Sequence, residues 1–258
     1  LPHNGSLIID DIEDGSDMRR GEPATHITYG VDISINAGNF LYYLPTLALD
    51  NASVSDEVRL RLYQIYANYM RKIHIGQGMD ITWHHRPDLI PDIESYELMC
   101  RLKTGCLAAM GCEIGAAVAT DDREVIRRAG VIAETIGLAF QIVDDVINLE
   151  KGNPGKVRGD DIVENKKSLP IILYAAMHPE QTDYLFSVFE QARQLGHKAS
   201  EDIIMDLIDQ IEASGALKQA RDHAMRLFET VREMVEELYP PSDDRQTFLS
   251  LIDGFAQA

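Results

Sequence analysis

The stretch Leu7–Gly21 reads LIIDDIEDGSDMRRG: an apolar run enters a block in which four of the five positions Asp10 to Asp14 are acidic, and two arginines follow one short loop later. On a helix, Asp10 and Asp14 share a face about 6 Å apart along the axis. Carboxylates stacked in this way repel each other unless a cation lies between them. Their hard oxygens suit Mg²⁺, which keeps several waters and commonly bridges protein carboxylates to phosphate groups. A second block, FQIVDDVINLE at 140–150, repeats the pattern, with Asp144 and Asn148 at the same spacing and Asp145 beside the first. Either block alone reads as a solvated helix face. The shared D-D-x-x-D/N form on two apolar helices instead predicts a cavity with acid at its mouth and hydrocarbon below, and Gln141, one turn before Asp144, reads as part of its lining.

Outward from these blocks the pattern is helical nearly throughout. Val31 to Leu49 is apolar and helix-compatible, with Pro45 expected to kink or divide it. Ser55 before Asp56 and Glu57 is a helix start, and Val58, Leu62, Ile65, Tyr69 and Ile73 form one stripe at spacings of three and four. After the loop Pro87–Asp92, a helix is expected through YELMCRLKTGCLAAMGCEIGAAVA. Gly105, Gly111 and Gly115 lie in its interior, where each costs ~1 kcal/mol relative to alanine unless close packing or a ligand compensates. Asp121 with Glu124 reads as a capping box for a helix reaching Leu149, which EKGNPGK ends. Helices follow at about 169–177, 180–195, 201–213, 216–238 and 243–255. No alternating strand with a hairpin turn competes, so the fold class is all-α, a bundle of long helices around a central cavity.

The chain has 258 residues, 45% of them hydrophobic, enough for one large domain spanning 1–258, and it shows no internal repeat or linker. Its 24 basic against 42 acidic residues give a net charge of −18, which argues against nucleic-acid or anionic-membrane partners. No apolar run approaches the ~20 residues of a membrane span. Cys100, Cys106 and Cys112 repeat every six residues, which scatters them over different helix faces. They read as small buried hydrophobes in a reducing, cytoplasmic compartment. The opening at Leu1, already inside an apolar pattern, is expected to follow missing N-terminal helices.

In so acidic a chain, the placement of basic residues is informative. Arg19 and Arg20 follow the first acidic block. Lys103 sits mid-helix before Thr104, and Lys156, Lys166 and Lys167 follow the second block. Arginine forks grip phosphate at two points and lysine supplies a point charge, so a polyphosphate held between metal and cations is the expected ligand. Lys167 reads as an ordinary surface salt bridge. His84 and His85 read as solvated or hydrogen-bonded at a helix end, and His26 and His74 have no evident role.

The segments SLIIDDIEDGSDMRRGEPATHITYG, GQGMDITW, RLKTG, FQIVDDVINL and GKVRGDDIVENKKSLP occur in this order, and in them the chain resembles the trans-isoprenyl diphosphate synthases, in particular the fungal and animal geranylgeranyl diphosphate synthases. The resemblance implies an isoprenoid synthase-type helical bundle. It implies that Asp10 and Asp14 hold two Mg²⁺ and Asp144 a third, with Asp11 in the same catalytic motif. Arg19, Lys103, Lys156 and Lys166 would grip the allylic diphosphate, supported by Thr104 and Gln141. Arg20 would reach toward isopentenyl diphosphate, and Gln77 and Asp80 would line the site, Asp80 orienting Lys103. The implied reaction elongates dimethylallyl, geranyl or farnesyl diphosphate with isopentenyl diphosphate by ionisation, condensation and elimination.

Two departures stand out. Asn148 would be a neutral, weaker ligand than the aspartate frequent in the family. The family's G-G-K-R-type segment and a later histidine, which hold isopentenyl diphosphate, should lie before Leu1. Gly5 and Ser6, one turn before Asp10, are small where farnesyl-producing relatives place aromatic bulk. A C20 product is therefore expected, with C25 open, and Leu1, Pro2, Tyr42 or Tyr43 would be the next obstacles. The family commonly forms homodimers or higher homo-oligomers. The alternatives left open are a class I terpene cyclase, whose N-D-x-x-S-x-x-x-E motif the chain lacks, a cyclase domain fused upstream, and a noncatalytic partner subunit.

Overall fold

The computed structural model describes residues 1–152 and 157–257, apart from the side chains of 197–199. Helix α1, Pro2–Glu13, carries the first acidic block, and Asp14 forms its C-cap. A small hairpin follows, β1 Met18–Arg19 against antiparallel β2 Glu22–Pro23, where the sequence suggested no hairpin. Four paired residues are too few to show alternation. The hairpin rests on its two-residue turn, in which Arg20 (φ 55°) and Gly21 (φ 83°) both take positive φ, the requirement of a tight turn that matches strand twist.

Helices α2 (Thr25–Tyr29), α3 (Val31–Tyr43) and α4 (Thr46–Asp50) come next, Pro45 dividing the last two as expected. Helix α5, Asp56–His84, is capped by the Ser55 hydroxyl accepting from the Val58 amide. It buries Leu62, Ile65, Tyr69 and Ile73, with Val58 half-buried. Helix α6 (Ile93–Cys100) passes into one π turn, Arg101–Gly105, and then α7 (Cys106–Ala119), where the sequence suggested a single regular helix. Helix α8, Arg123–Glu150, is capped by Asp122, which accepts from the amides of Glu124 and Val125. The expected cap Asp121 instead pairs with Arg61 at 2.9 Å.

The rest is α9 (Asp160–Val163), α10 (Leu169–Met177), α11 (Thr182–Leu195), α12 (His197–Ser214), α13 (Ala216–Leu238) and α14 (Asp243–Ala256). The main core gathers around α8, where Ile132, Leu138, Ile142, Val146 and Leu149 pack with α10 to α13. A second cluster lies between α5 and α7. Cys100 and Cys106 are fully buried and Cys112 half-buried, all as free thiols.

Two contacts fix the π turn in place. A Cβ on Gly76 of α5 would lie 2.5 Å from the Lys103 amide nitrogen, and a Cβ on Gly137 of α8 would lie 2.5 Å from Gly105 Cα. Glycine on both neighbouring helices therefore lets α5 and α8 approach the wider turn at backbone distance. The expected close packing at Gly105 is present, whereas Gly111 and Gly115 have open space around them.

Candidate active site

A cavity of about 810 Å³ opens among α1, α5, the π turn, α8 and the segment around α9. Asp10 and Glu13 reach it from α1, Gln77 and Asp80 from α5, and Lys103 and Thr104 from the π turn. Gln141 and Asp144 line it from α8, Arg19 and Arg20 from the β1–β2 hairpin, and Lys166 from the turn after α9. The two acidic blocks, far apart in sequence, thus face one space.

Charged side chains form an unbroken chain from Asp14, outside the cavity lining, to Asp10 within it. Lys103 Nζ donates to Asp80 Oδ2 at 2.5 Å and to Asp10 Oδ1 at 3.0 Å. The His84 ring lies between Asp80, 3.2 Å from Nε2, and Asp14, 3.5 Å from Nδ1. From Asp14 to Asp10 the order is carboxylate, imidazole, carboxylate, ammonium, carboxylate, so two cations alternate with three anions. Gln77 Nε2 ties Asp10 (2.9 Å) to Glu13 (2.7 Å). Burial alone would lower the His84 pKa, but Asp14 and Asp80 override it and push it up to about 9. Burial opposes ionisation of Asp80 and Asp10 as well, yet Lys103 holds both carboxyls below the usual range. Lys103 is in turn raised, its two aspartates overriding burial. Glu13 goes the other way, raised by burial. The expectation of a solvated histidine pair holds for His85, which is exposed, and fails for His84, which Asp14 and Asp80 enclose at the end of α5.

Asp11 is 2% exposed and faces Arg19: Nε donates to Asp11 Oδ1 at 2.8 Å, Nη2 approaches the same oxygen, and Asp10 Oδ2 lies 3.7 Å from Nη2. The second carboxylate of the motif therefore orients an arginine.

A second network runs along α8. Thr104 donates to Gln141 Oε1 at 2.8 Å, and Gln141 Nε2 donates to Asp145 Oδ1 at 3.0 Å. Asp145 also accepts from the Tyr96 hydroxyl at 2.5 Å and from the Leu169 amide at 3.1 Å. Burial, with Asp161 nearby, pushes its pKa up to about 7. Asn148 is fully buried, its Oδ1 3.4 Å from the Asp161 amide, and does not line the cavity. The expected weak ligand is a structural residue, because the segment entering α9 packs over it.

Lys166 pairs with Glu164 Oε2 at 2.5 Å and lies 3.7 Å from Asp161 Oδ1. These carboxylates override burial and hold it well above the ordinary lysine value. Lys167 is not at the surface as expected. It is 3% exposed, its Nζ donates to Asn165 Oδ1 at 2.5 Å, and burial lowers its pKa to about 7. Lys156 lies outside the described residues.

The donor set fits Mg²⁺. Asp10 and Asp144 present hard anionic oxygens to one cavity, whereas Asp14, one turn beyond Asp10, is not among the lining residues and faces the His84 ring. Among the described residues no three His, Cys, Asp or Glu side chains converge as a metal cage.

Against known proteins, the polyprenyl synthetase family model matches residues 1–207. The chain belongs to the polyprenyl synthetase family. Among curated members it is 33% identical over 245 residues to a geranylgeranyl pyrophosphate synthase of Penicillium janthinellum, covering 92% of this chain and 62% of that protein. It is 29% identical over 255 residues to one of Gibberella zeae, covering 98% and 65%. The chain thus spans somewhat under two thirds of the length of these relatives. Among solved structures, geranylgeranyl pyrophosphate synthetase from Pyrococcus horikoshii superimposes with a TM-score of 0.89 at 27% identity, covering all of this chain and 76% of that one. A Caulobacter crescentus polyprenyl synthase complexed with calcium and isoprenyl diphosphate gives 0.81 at 25%, covering 100% and 75%. The all-α isoprenoid synthase fold is therefore established for this member of the polyprenyl synthetases.

The chain-length residues separate. Ser6 lines the cavity one turn before Asp10. Gly5 does not: it is buried against α3, where an added Cβ would lie 2.8 Å from Gly38 O and 3.0 Å from Leu41 Cβ. Its smallness serves the crossing of α1 and α3. Of the expected further obstacles only Tyr42 lines the cavity, with its ring edge-on to His74 at 5.4 Å. Burial, with Glu13 and Asp10 nearby, pushes the Tyr42 hydroxyl up to about 12, so it stays neutral. Leu1 and Tyr43 are exposed.

Besides Asn165 and Lys167, sequence reasoning missed the ring of His84, the Tyr96 hydroxyl and the Glu164 carboxylate. A histidine one turn after Asp80 was the available signal for the first of these.

Proposed function

We propose that this chain carries out Mg²⁺-dependent elongation of an allylic diphosphate with isopentenyl diphosphate, giving geranylgeranyl diphosphate. The observation that carries the reading is the single cavity into which α1 and α8 deliver carboxylates while Lys103, Arg19 and Lys166 deliver cations. It is supported by membership of the family and by the names of the fungal relatives.

In this reading Asp10 and Asp14 would hold two Mg²⁺ and Asp144 a third, which would supply charge neutralisation for the diphosphate leaving group. Lys103, fixed by Asp80, supplies a placed positive charge to the departing diphosphate, and Arg19 and Lys166 flank it. Asp11 acts through Arg19 as a positioning residue, and Thr104 and Gln141 orient the lining beside Asp144. Arg20, held on a turn with positive φ, faces the second diphosphate. The apolar lower cavity excludes water from the allylic cation until the alkene of isopentenyl diphosphate attacks it. The proton then lost goes to the released diphosphate. Ser6 leaves room for a tail beyond C15, and Tyr42 with His74 limits it.

Dimethylallyl, geranyl and farnesyl diphosphates are the proposed acceptors, in a reducing cytoplasmic setting consistent with the free buried thiols. Pairing of two copies is supported by the uncovered apolar side chains of α3, where Ile33, Phe40 and Tyr43 are 57%, 60% and 69% exposed. The test is pyrophosphate release by the full-length protein. Condensation requires both farnesyl and isopentenyl diphosphate, whereas release from farnesyl diphosphate alone would assign a cyclase.

A further inference from the structure

Lys167 is the anomaly of the site: a buried lysine with no carboxylate in ion-pair range among the described residues, in a chain of net charge −18. Burying a cation without an anion is costly, so its neighbours carry the explanation. Its Nζ donates to Asn165 Oδ1 at 2.5 Å and sits 3.9 Å from the centroid of the Phe189 ring on α11, a favourable cation–π distance. Asn165, itself 1% exposed, donates through Nδ2 to the backbone oxygen of His84 at 2.6 Å. One bridge therefore joins the end of α5, the turn after α9 and α11.

The backbone explains why Asn165 points inward. After α9, the Lys166 amide donates to Asp161 O at 2.8 Å and the Asn165 amide to Ile162 O at 3.1 Å. With Asn165 at φ 57°, this is a Schellman end in which Asn165 occupies the left-handed C′ position. The reversal turns Asn165 toward the protein interior, while Lys166, with Asp161, and the covered Lys167 both border the cavity. The α5 end of the bridge belongs to His84, whose ring lies between Asp14 and Asp80.

We propose that Asn165 and Lys167 are positioning residues that act as one unit, docking the turn on α5 so that the Lys166 ammonium is held at the diphosphate end of the cavity. This rests on the reading of Lys166 as a diphosphate ligand. In this scheme Asn165 lies away from the cavity, and Lys167, which borders it, acts through its bond to Asn165 rather than as a diphosphate ligand.

The test is binding of inorganic pyrophosphate with Mg²⁺ to the full-length protein by calorimetry, with the midpoint of thermal unfolding as a folding control. Asn165→Gly preserves the left-handed backbone, glycine being the usual C′ residue, and Lys167→Met preserves bulk against Phe189, so both variants are built to fold. Each should weaken pyrophosphate about tenfold, the loss of one good hydrogen bond. The double variant should be no weaker than either single one, and neither change should add to Lys166→Met, because residues acting as one unit are non-additive. Lys167→Arg should restore part of the affinity. If Lys166→Met weakens binding while Asn165→Gly and Lys167→Met in folded protein do not, the bridge is structural only and the proposal is overturned. If Lys166→Met itself leaves pyrophosphate binding unchanged, the assignment of Lys166 falls, and the proposal with it.

Discussion

Lys103 and Asp80 meet at 2.5 Å across the crossing of the π turn and α5, and the same ammonium reaches Asp10 at 3.0 Å. One lysine thus links the first acidic motif to the helix behind it. Asp80→Asn keeps the shape but removes the nearer charge, leaving Lys103 to swing toward Asp10. The expected outcome is a rise of about tenfold in KM for the allylic diphosphate, with KM for isopentenyl diphosphate unchanged, and a stability loss of about 1–2 kcal/mol by urea titration.

Gly76 tests whether the π turn places Lys103. Since its Cβ would lie 2.5 Å from the Lys103 nitrogen, Gly76→Ala should cost about 1–3 kcal/mol and lower kcat/KM by more than the folded fraction explains. Gly111→Ala, with open space around it, should stabilise by about 0.5–1 kcal/mol and leave kcat/KM unchanged. Thermal melts and steady-state kinetics on both variants check this.

Gly5 and Ser6 are adjacent and small yet should respond oppositely. Ser6→Phe should shorten the product toward C15 with little effect on melting. Gly5→Ala should lower stability by about 1–3 kcal/mol through its clash with Gly38, with product length unchanged. Product analysis beside thermal melts separates them, and an unaltered product from Ser6→Phe would remove Ser6 from the tail pocket.

His84 gives a pH signature in metal-free protein. Its pKa rises from the unfolded value of about 6.5 to about 9 in the fold, so the folded state binds more protons between these values. The stabilisation is fully present below about pH 6.5 and lost as pH climbs through 9. The stability difference between wild type and His84→Asn should therefore shrink steadily over that window in urea titrations, and a constant difference would contradict the placement of the ring between Asp14 and Asp80.

Much of this was legible in the residues. Helical periodicity marked α5 and α8, and the repeated acidic spacing brought Asp10 and Asp144 to one cavity. Asp80 beside Lys103 followed from family motifs. What stayed hidden depends on three-dimensional approach. The smallness of Gly5 has the same appearance in sequence whether it opens a pocket or admits a neighbouring helix. The π turn at Arg101–Gly105 depends on Gly76 and Gly137, which are far from it in the chain. Lys167 looked solvated because nothing beside it in the sequence marks the left-handed Asn165 and the distant Phe189 ring that cover it. Asn148 repeats the spacing of a ligand, but the chain that covers it returns only thirteen residues later, at Asp161.

The decisive measurement is the chain length of the alcohol released by phosphatase after the full-length protein is incubated with farnesyl and isopentenyl diphosphates, with and without Mg²⁺, read by mass spectrometry. A C20 alcohol that appears only with Mg²⁺ is the expected result. Farnesyl diphosphate consumed to a hydrocarbon, with no isopentenyl unit incorporated, would contradict it.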